Sequence, residues 1–222
     1  MSYGAVIFDC DGVLVDSEVI AIEVEVAALA RVGVQLTAVE LAQRYVGVSG
    51  PAMRSSVARE FGIDLTDSFW ATLREDSHAA LAGRVRAIPG MRQVIQQLGL
   101  PYALASSSSH DRVVLTLGTA GLLDLFDDSR RFSAQDVEHG KPAPDLFLHA
   151  AAALGVAPGS CVVVEDSPYG VAAALAAGMD VVGFTAGGHA DDAWAQRLRD
   201  AGAARIAANS GELTQILRAG RP

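Results

Sequence analysis

The sequence predicts an α/β fold, a doubly wound parallel sheet interrupted after its first strand by an inserted all-helical domain. Three observations carry this. Short apolar runs without helical periodicity alternate with helical patterns over most of the chain. Acidic or hydroxyl residues close those runs. Residues 17–86, by contrast, place apolar side chains at helical spacing throughout. The 222 residues suit one compact core carrying a modest insertion, and with 50% hydrophobic and 19% charged residues they can bury that core.

Gly4-Ala5-Val6-Ile7-Phe8 is the first run, read as a strand covered on both faces and ending in Asp9-Cys10-Asp11-Gly12. The insertion follows, with Val19, Ile22, Val26 and Leu29, then Val39, Leu41 and Ala42, then Val57 and Phe61, then Phe69, Leu73 and Leu81 at helical spacing. Gly33, Gly47, Gly50-Pro51 and Gly62 punctuate it, so four or five helices are expected. The chain leaves the core near Val13 to Asp16 and returns near Ala87-Ile88-Pro89-Gly90. Two short hinges are expected there, giving a core of residues 1–16 and 87–222 and an inserted domain of 17–86. Beyond it, strands are expected at Tyr102-Ala103-Leu104-Ala105 (closed by Ser106), Cys161-Val162-Val163-Val164 (closed by Glu165-Asp166) and Val181-Val182-Gly183-Phe184. Helices are expected over 91–98, 111–119, 145–154 and 170–177. In such a sheet ligands sit at the carboxyl ends of the strands, where Asp9, Asp11, Ser106, Glu165 and Asp166 fall.

A formal net charge of −9 argues against a nucleic-acid footprint or attraction to an anionic membrane. Cys10 and Cys161 make neither a disulfide framework nor a zinc spacing nor a redox pair. The uncharged run over 146–164 approaches the length of a membrane span. Gly155, Pro158 and Gly159 break it into a helix and a strand, so it reads as buried core. The start of the chain has no basic region or long apolar stretch, and a soluble, cytoplasmic protein is expected.

Asp9-x-Asp11-Gly12 taken alone is a weak signal, more often a solvated turn or an Asx motif than a site. Its place after a buried strand sharpens the question, because paired carboxylates there need a metal, a cation or a shared proton. Gly140-Lys141-Pro142-x-Pro144 reads either as an exposed loop or as a stiffened segment aiming Lys141 inward as that cation. Glu165-Asp166-Ser167 reads as a helix N-cap, as metal-binding carboxylates, or as both. Cys10 is expected to pack away from the site. Asp16 is expected to cap the first inserted helix or hold the hinge. His110-Asp111 is expected to cap a helix, the Ser106 to Ser109 run to form a loop leading into a helix, and Trp70 and Trp194 to pack amphipathic helices.

These residues, in this order, resemble the four motifs of the haloacid dehalogenase superfamily of phosphotransferases. Asp9-Cys10-Asp11-Gly12-Val13-Leu14-Val15-Asp16-Ser17 and Gly140-Lys141-Pro142-Ala143-Pro144-Asp145 are similar to the subfamily with a small helical cap after the first motif. That subfamily contains β-phosphoglucomutase, phosphoglycolate phosphatase and sugar-phosphate phosphatase branches. The resemblance implies a Rossmann-like core and phosphoryl transfer. Asp9 would be the nucleophile forming an aspartyl phosphate, and Asp11 would protonate the leaving alcohol and then activate water. Lys141 would balance negative charge, while Ser106 and an amide of Ser107 would hold phosphate oxygens. Mg²⁺ would be bound by Asp9, the Asp11 carbonyl and Asp166, with waters held partly by Glu165.

Ala21 stands where the mutase branch has a histidine, and Val48-Ser49-Gly50 where it has an arginine, so hydrolysis is favoured over a mutase. The dehalogenase branch lacks the second acid that Asp11 supplies. The wording around Asp9 and Lys141 looks most like the sugar-phosphate and 6-phosphogluconate phosphatases. The expectation is therefore a Mg²⁺-dependent phosphatase for a small phosphorylated sugar, polyol or sugar acid, with no nucleic-acid or membrane partner, acting as a monomer or weak homodimer. A phosphosugar mutase and a catalytically weak binding or regulatory module are the alternatives. An anionic substrate would draw on cap cations, for which Arg44, Arg54, Arg74, Arg84 and Arg86 are candidates beside the plainer reading of solvated helix faces.

Overall fold

A computed structural model of the chain describes residues 2–46, 48, 50–190 and 192–221. Among them, six strands form a sheet in the order β3-β2-β1-β4-β5-β6. The strands are β1 Ala5–Phe8, β2 Tyr102–Ser106, β3 Arg131–Ser133, β4 Cys161–Glu165, β5 Asp180–Phe184 and β6 Arg205–Ala207, and every neighbouring pair is parallel. β1 lies beside both β2 and β4, so the chain winds outward from it in two directions. The crevice at the carboxyl end of β1 is the switch point at which such sheets bind ligands.

The apolar runs are continuous because each central strand feeds two cores. Ala5 and Ile7 face one core with helices α7 (Asp145–Ala153), α8 (Pro168–Ala176) and α9 (Asp192–Asp200). Val6 and Phe8 face the other with α5 (Met91–Gln96), α6 (His110–Thr119) and α10 (Ser210–Ala219). The uncharged 146–164 run divides as expected, with α7 followed by a 3-10 turn at Pro158–Ser160 and then β4. Among the described residues no helix is long and apolar enough to cross a membrane.

Between β1 and α5 lie four helices, α1 Glu18–Arg31, α2 Ala38–Tyr45, α3 Gly50–Phe61 and α4 Asp67–Arg84. Thr37 starts α2 with a capping box: its hydroxyl accepts from the Glu40 N–H at 3.2 Å while Glu40 accepts from the Thr37 N–H at 2.8 Å. Leu41 and Tyr45 carry the packing face of α2. Val39, read as part of the apolar pattern, is 62% exposed, since it lies about 200° round the helix from Leu41. Gly47 and Ser49, and with them part of the Val48-Ser49-Gly50 comparison, lie outside the described residues, as does Met1.

The two chain crossings run side by side. Val15 and Ala87 form an antiparallel bridge, Asp16 N–H donates to the Arg86 carbonyl at 2.9 Å, and Ile88 N–H donates to the Leu14 carbonyl at 2.9 Å. Asp16 does not cap α1, whose N-cap is Ser17 with no side-chain cap bond. Its carboxylate instead accepts the Gly188 N–H at 3.0 Å, tying the hinge to the loop after β5.

Candidate active site

The Asp9 N–H donates to the Val164 carbonyl at 3.0 Å and so continues the ladder one residue beyond β1. This holds Asp9, 6% exposed, at the carboxyl edge of the sheet. Lys141 reaches it from the loop before α7 and is itself 8% exposed. Its ammonium donates to Asp9 Oδ1 at 2.6 Å, to Glu165 Oε1 at 2.7 Å and to the Ala105 carbonyl at 3.0 Å. Three donors meet three acceptors, and Phe147 lies beneath the charge with its ring centroid 4.8 Å away. Burial would lower the Lys141 pKa, but the two carboxylates outweigh it and hold the lysine above its ordinary value. Burial pushes Asp9 well up. Lys141 pulls against that, while Glu165, Asp166 and Asp11 add to it.

Glu165 is anchored through both carboxylate oxygens. With Oε1 on Lys141, its Oε2 accepts from the Ser167 N–H at 2.7 Å and the Ser167 hydroxyl at 2.9 Å. Ser167 in turn accepts the Gly170 N–H at 3.0 Å and caps α8. Both oxygens are therefore committed, and Glu165 orients the lysine and the helix. Gly170 makes room for it, since a Cβ there would fall 1.8 Å from Glu165 Oε1. Gly170→Ala is expected to push Glu165 off Lys141, costing about 1–3 kcal/mol in urea unfolding and lowering kcat together with it. Unchanged stability and turnover would contradict this placement.

Asp166, 4% exposed, follows Glu165 at the same edge of the sheet. The Trp194 indole N–H donates to its backbone carbonyl at 2.7 Å, so Trp194 positions this residue as well as packing α9. Asp166 Oδ2 lies against Gly12, where a Cβ would come within 1.7 Å; with φ at +76°, only glycine suits both the turn and this close approach. The His189 ring, from the loop after β5, stands with Nε2 3.2 Å from Oδ2 and edge-on to Trp194. The contact is poorly directed, and Oδ2 has no formed hydrogen bond among the described residues. Burial pushes Asp166 up and His189 draws it down, leaving it raised. Burial lowers His189, but Asp166 more than offsets this.

Asp11 accepts from the Ser17 hydroxyl at 2.5 Å, the Ser108 hydroxyl at 2.7 Å and Arg112 Nη2 at 3.3 Å. Burial raises its pKa, yet Arg112 and the two hydroxyls prevail and hold it below the ordinary carboxylate range. In this arrangement Asp11 is an ionised acceptor. Ser106, 1% exposed at the end of β2, accepts the Ser108 N–H at 3.0 Å, and exposed Ser107 follows it on the same rim. Cys10 turns away from the site, with Sγ 3.9 Å from the Thr116 hydroxyl. His110 does not cap α6. Ser109 does, and the His110 ring pairs with Asp136 at 2.8 Å.

Asp9, Asp11, Lys141, Ser106, Ser107 and Asp166 all line one cavity of about 400 Å³, within the range of metabolite sites. Glu18 and Glu25 of α1, Tyr45 of α2 and Arg112 of α6 also line it, and none of these was singled out from sequence. Burial, with the negative charge of Asp11 and Asp166, raises Glu18 to about 8; burial raises Glu25 to about 7. Of the five cap arginines considered, none lines this cavity among the described residues. Arg44 pairs with Glu60 at 2.8 Å, Arg54 with Asp64 at 2.9 Å and Arg84 with Glu23 at 2.5 Å, exposed pairs of small energetic worth.

No trio of His, Cys, Asp or Glu side chains is poised as a metal cluster among the described residues. A magnesium site does not require one, because Mg²⁺ keeps several waters and binds through one or two carboxylates. The unbonded Oδ2 of Asp166, a residue lining the same cavity as Asp9, fits such an all-oxygen donor set.

The haloacid dehalogenase-like hydrolase family matches residues 3–178. The 6-phosphogluconate phosphatase of Escherichia coli (strain K12) is 33% identical over 190 residues, 83% of this chain and 84% of that one. Hexitol phosphatase A of the same organism is 34% identical over 185 residues, 81% of this chain and 82% of that one. The crystal structure of a haloacid dehalogenase-like protein from Agrobacterium tumefaciens str. C58 superimposes with a TM-score of 0.88 at 37% identity, covering 98% of this chain and 99% of that one.

Proposed function

Given that the chain belongs to the haloacid dehalogenase-like hydrolases and is a phosphatase, we propose that it hydrolyses a small phosphorylated sugar, polyol or sugar acid with Mg²⁺, through an aspartyl phosphate. The observation that carries this is the buried Asp9, one oxygen pinned by Lys141 at 2.6 Å, on the wall of a metabolite-sized cavity. A carboxylate held by one oxygen presents the other for in-line attack.

In the first half-reaction Asp9 bonds to phosphorus, the ester P–O bond breaks, and the leaving oxygen takes a proton from protonated Asp11. In the second, Asp11 takes a proton from water as its oxygen bonds to phosphorus, and Asp9 leaves with the electron pair of the old bond. The Arg112 contact must loosen for Asp11 to carry the first proton. Mg²⁺, held by Asp9, Asp166 and the Asp11 carbonyl, would supply positive charge against the phosphoryl oxygens. Lys141 orients Asp9, Ser106 and the Ser107 amide receive phosphoryl oxygens, and residues 17–86 cover the site as a cap.

Ala21, 5% exposed on the cavity wall, has no group to trade a proton with a second sugar oxygen. This supports hydrolysis over the mutase alternative. The free cysteines suit a reducing cytoplasm, where we place the enzyme as a monomer or weak homodimer. A panel of phosphomonoesters assayed with Mg²⁺ is expected to show phosphate release that EDTA abolishes. Conversion of glucose 1-phosphate to its 6-phosphate without phosphate release would overturn the reading.

A further inference from the structure

His189 takes no part in the phosphoryl chemistry above, yet the chain is shaped around it. Its side chain is 0% exposed, and neither Nδ1 nor Nε2 has a formed hydrogen bond among the described residues. Polar atoms buried in this way are costly unless something meets them. Glycines wall the ring: a Cβ on Gly12 would come within 3.0 Å of its Cε1, and one on Gly187 within 2.9 Å of its Cε1 and Nδ1. Trp194 closes a third side, edge-on with ring centroids 5.1 Å apart. The backbone is tied on either side of the residue. The Gly188 N–H donates to Asp16 Oδ1 at 3.0 Å, and the Ala190 N–H to the Gly187 carbonyl at 3.0 Å. The ring therefore has little freedom to turn away from what it faces.

What it faces is Asp166. Nε2 stands 3.2 Å from Oδ2, an oxygen that also lacks a formed hydrogen bond among the described residues. We propose that His189 is a positioning residue, whose Nε2–H holds the Asp166 carboxylate in the orientation that binds the divalent cation. This rests on the Mg²⁺ reading above and adds to it a residue that the reading did not use.

Nε2 is the nitrogen that meets an acceptor, so it is the one that carries the proton. The terminal torsion of an aspartate is soft, and a modest turn of the carboxylate brings the two orphaned groups into line. Contacts of this kind are often long before the ligand arrives. A carboxylate has about four lone-pair sites, enough for His189 and a cation together. The backbone end of Asp166 is already fixed, because the Trp194 indole N–H donates to its carbonyl at 2.7 Å. His189 fixes the other end. Lys141 cannot take its place, since its ammonium is spent on Asp9, Glu165 and the Ala105 carbonyl. Without His189 the cation itself would have to order the carboxylate, and that ordering is subtracted from affinity.

Mn²⁺ binding to the intact protein without substrate tests this, read from the electron paramagnetic resonance signal of the free ion, with Mg²⁺ added as competitor. His189→Gln and His189→Asn differ by one methylene. The glutamine amide reaches the place of Nε2, and the asparagine amide stops at that of Nδ1. His189→Asn is expected to raise Kd for both ions by about ten- to a hundredfold, and His189→Gln by no more than about threefold. Asp166→Asn is expected to remove the site outright. Urea unfolding without divalent cations is measured beside each Kd, so that a general loosening of the fold is seen separately. Equal Kd values for the wild type and both variants would overturn the positioning role alone, as would a loss that the two variants share equally or that follows stability instead of the reach of the amide. A wild type that binds neither ion, or an Asp166→Asn variant that binds as the wild type does, would defeat the Mg²⁺ reading and the proposal together.

Discussion

Replacing Asp9 with asparagine is expected to lower kcat by a factor on the order of 10⁴ or more for every phosphomonoester, while the unfolding midpoint holds or rises. The carboxamide cannot form the acyl phosphate, which accounts for the first half. The second follows from the environment of Asp9. Burial, reinforced by Glu165, Asp166 and Asp11, raises its pKa in the folded chain despite Lys141. The folded state thus binds more protons here than the unfolded chain, and stability declines as pH rises from the ordinary carboxylate value towards the raised one. A neutral isostere removes that dependence. Its amide oxygen can still accept from Lys141, which retains Glu165 and the Ala105 carbonyl. Intact-mass measurement after mixing with substrate should show the wild type gaining phosphate and the variant gaining none. Retained turnover in the variant would dispose of the aspartyl nucleophile, and collapse of the fold would dispose of the stability argument.

The contrast between Asp9 and its neighbours also shows which features a sequence displays. β1, β2, β4 and β5 are legible because burial on both faces demands unbroken apolar runs. β3 and β6 are not: each has three residues, begins with an arginine and lies at an edge of the sheet, where one side needs no such run. α10 opens on a local cap signature, with Asn209 accepting from the Glu212 N–H at 2.9 Å three positions on. Within the site, Asp9, Asp11, Ser106, Glu165 and Asp166 are legible as a group because strand ends in a parallel sheet share one edge. Tyr45, Glu25 and Arg112 lie on helices, and helical periodicity says which residues share a face but not what that face meets. His189 had a local sign, a histidine after Gly187-Gly188 beyond β5, yet its contact with Asp166 comes only from packing. The same limit hid the commitment of Glu165, whose partners Lys141 and Ser167 both had to be in place before its oxygens could be assigned.

Lys141→Met is expected to abolish turnover and, unlike Asp9→Asn, to destabilise the protein by about 3–5 kcal/mol, or roughly 6–20 °C in Tm. Methionine keeps the length and apolar stem of the side chain and its place over Phe147, so little packing is lost. What remains is two carboxylates, Asp9 and Glu165, at 6% and 1% exposure without their cation. Desolvation dominates when one partner of a buried pair is removed, because the Coulombic gain disappears and the cost of burying the other charge stays. The deficit has a direction in pH. Loss of the lysine removes the influence that draws Asp9 down, so its folded pKa rises further above the unfolded one, and protonation in mild acid stabilises the variant relative to neutral pH. The gap to wild type, measured by urea unfolding without divalent cations, should therefore narrow between pH 7 and pH 5. Asp9→Asn placed in the Lys141→Met background should recover part of the loss, since it removes one stranded charge, whereas in the wild-type background it removes a paired one. That non-additivity is the signature of a charge pair and not of lost volume. A deficit that ignores pH and simple additivity of the two substitutions would instead assign the Lys141 contribution to packing.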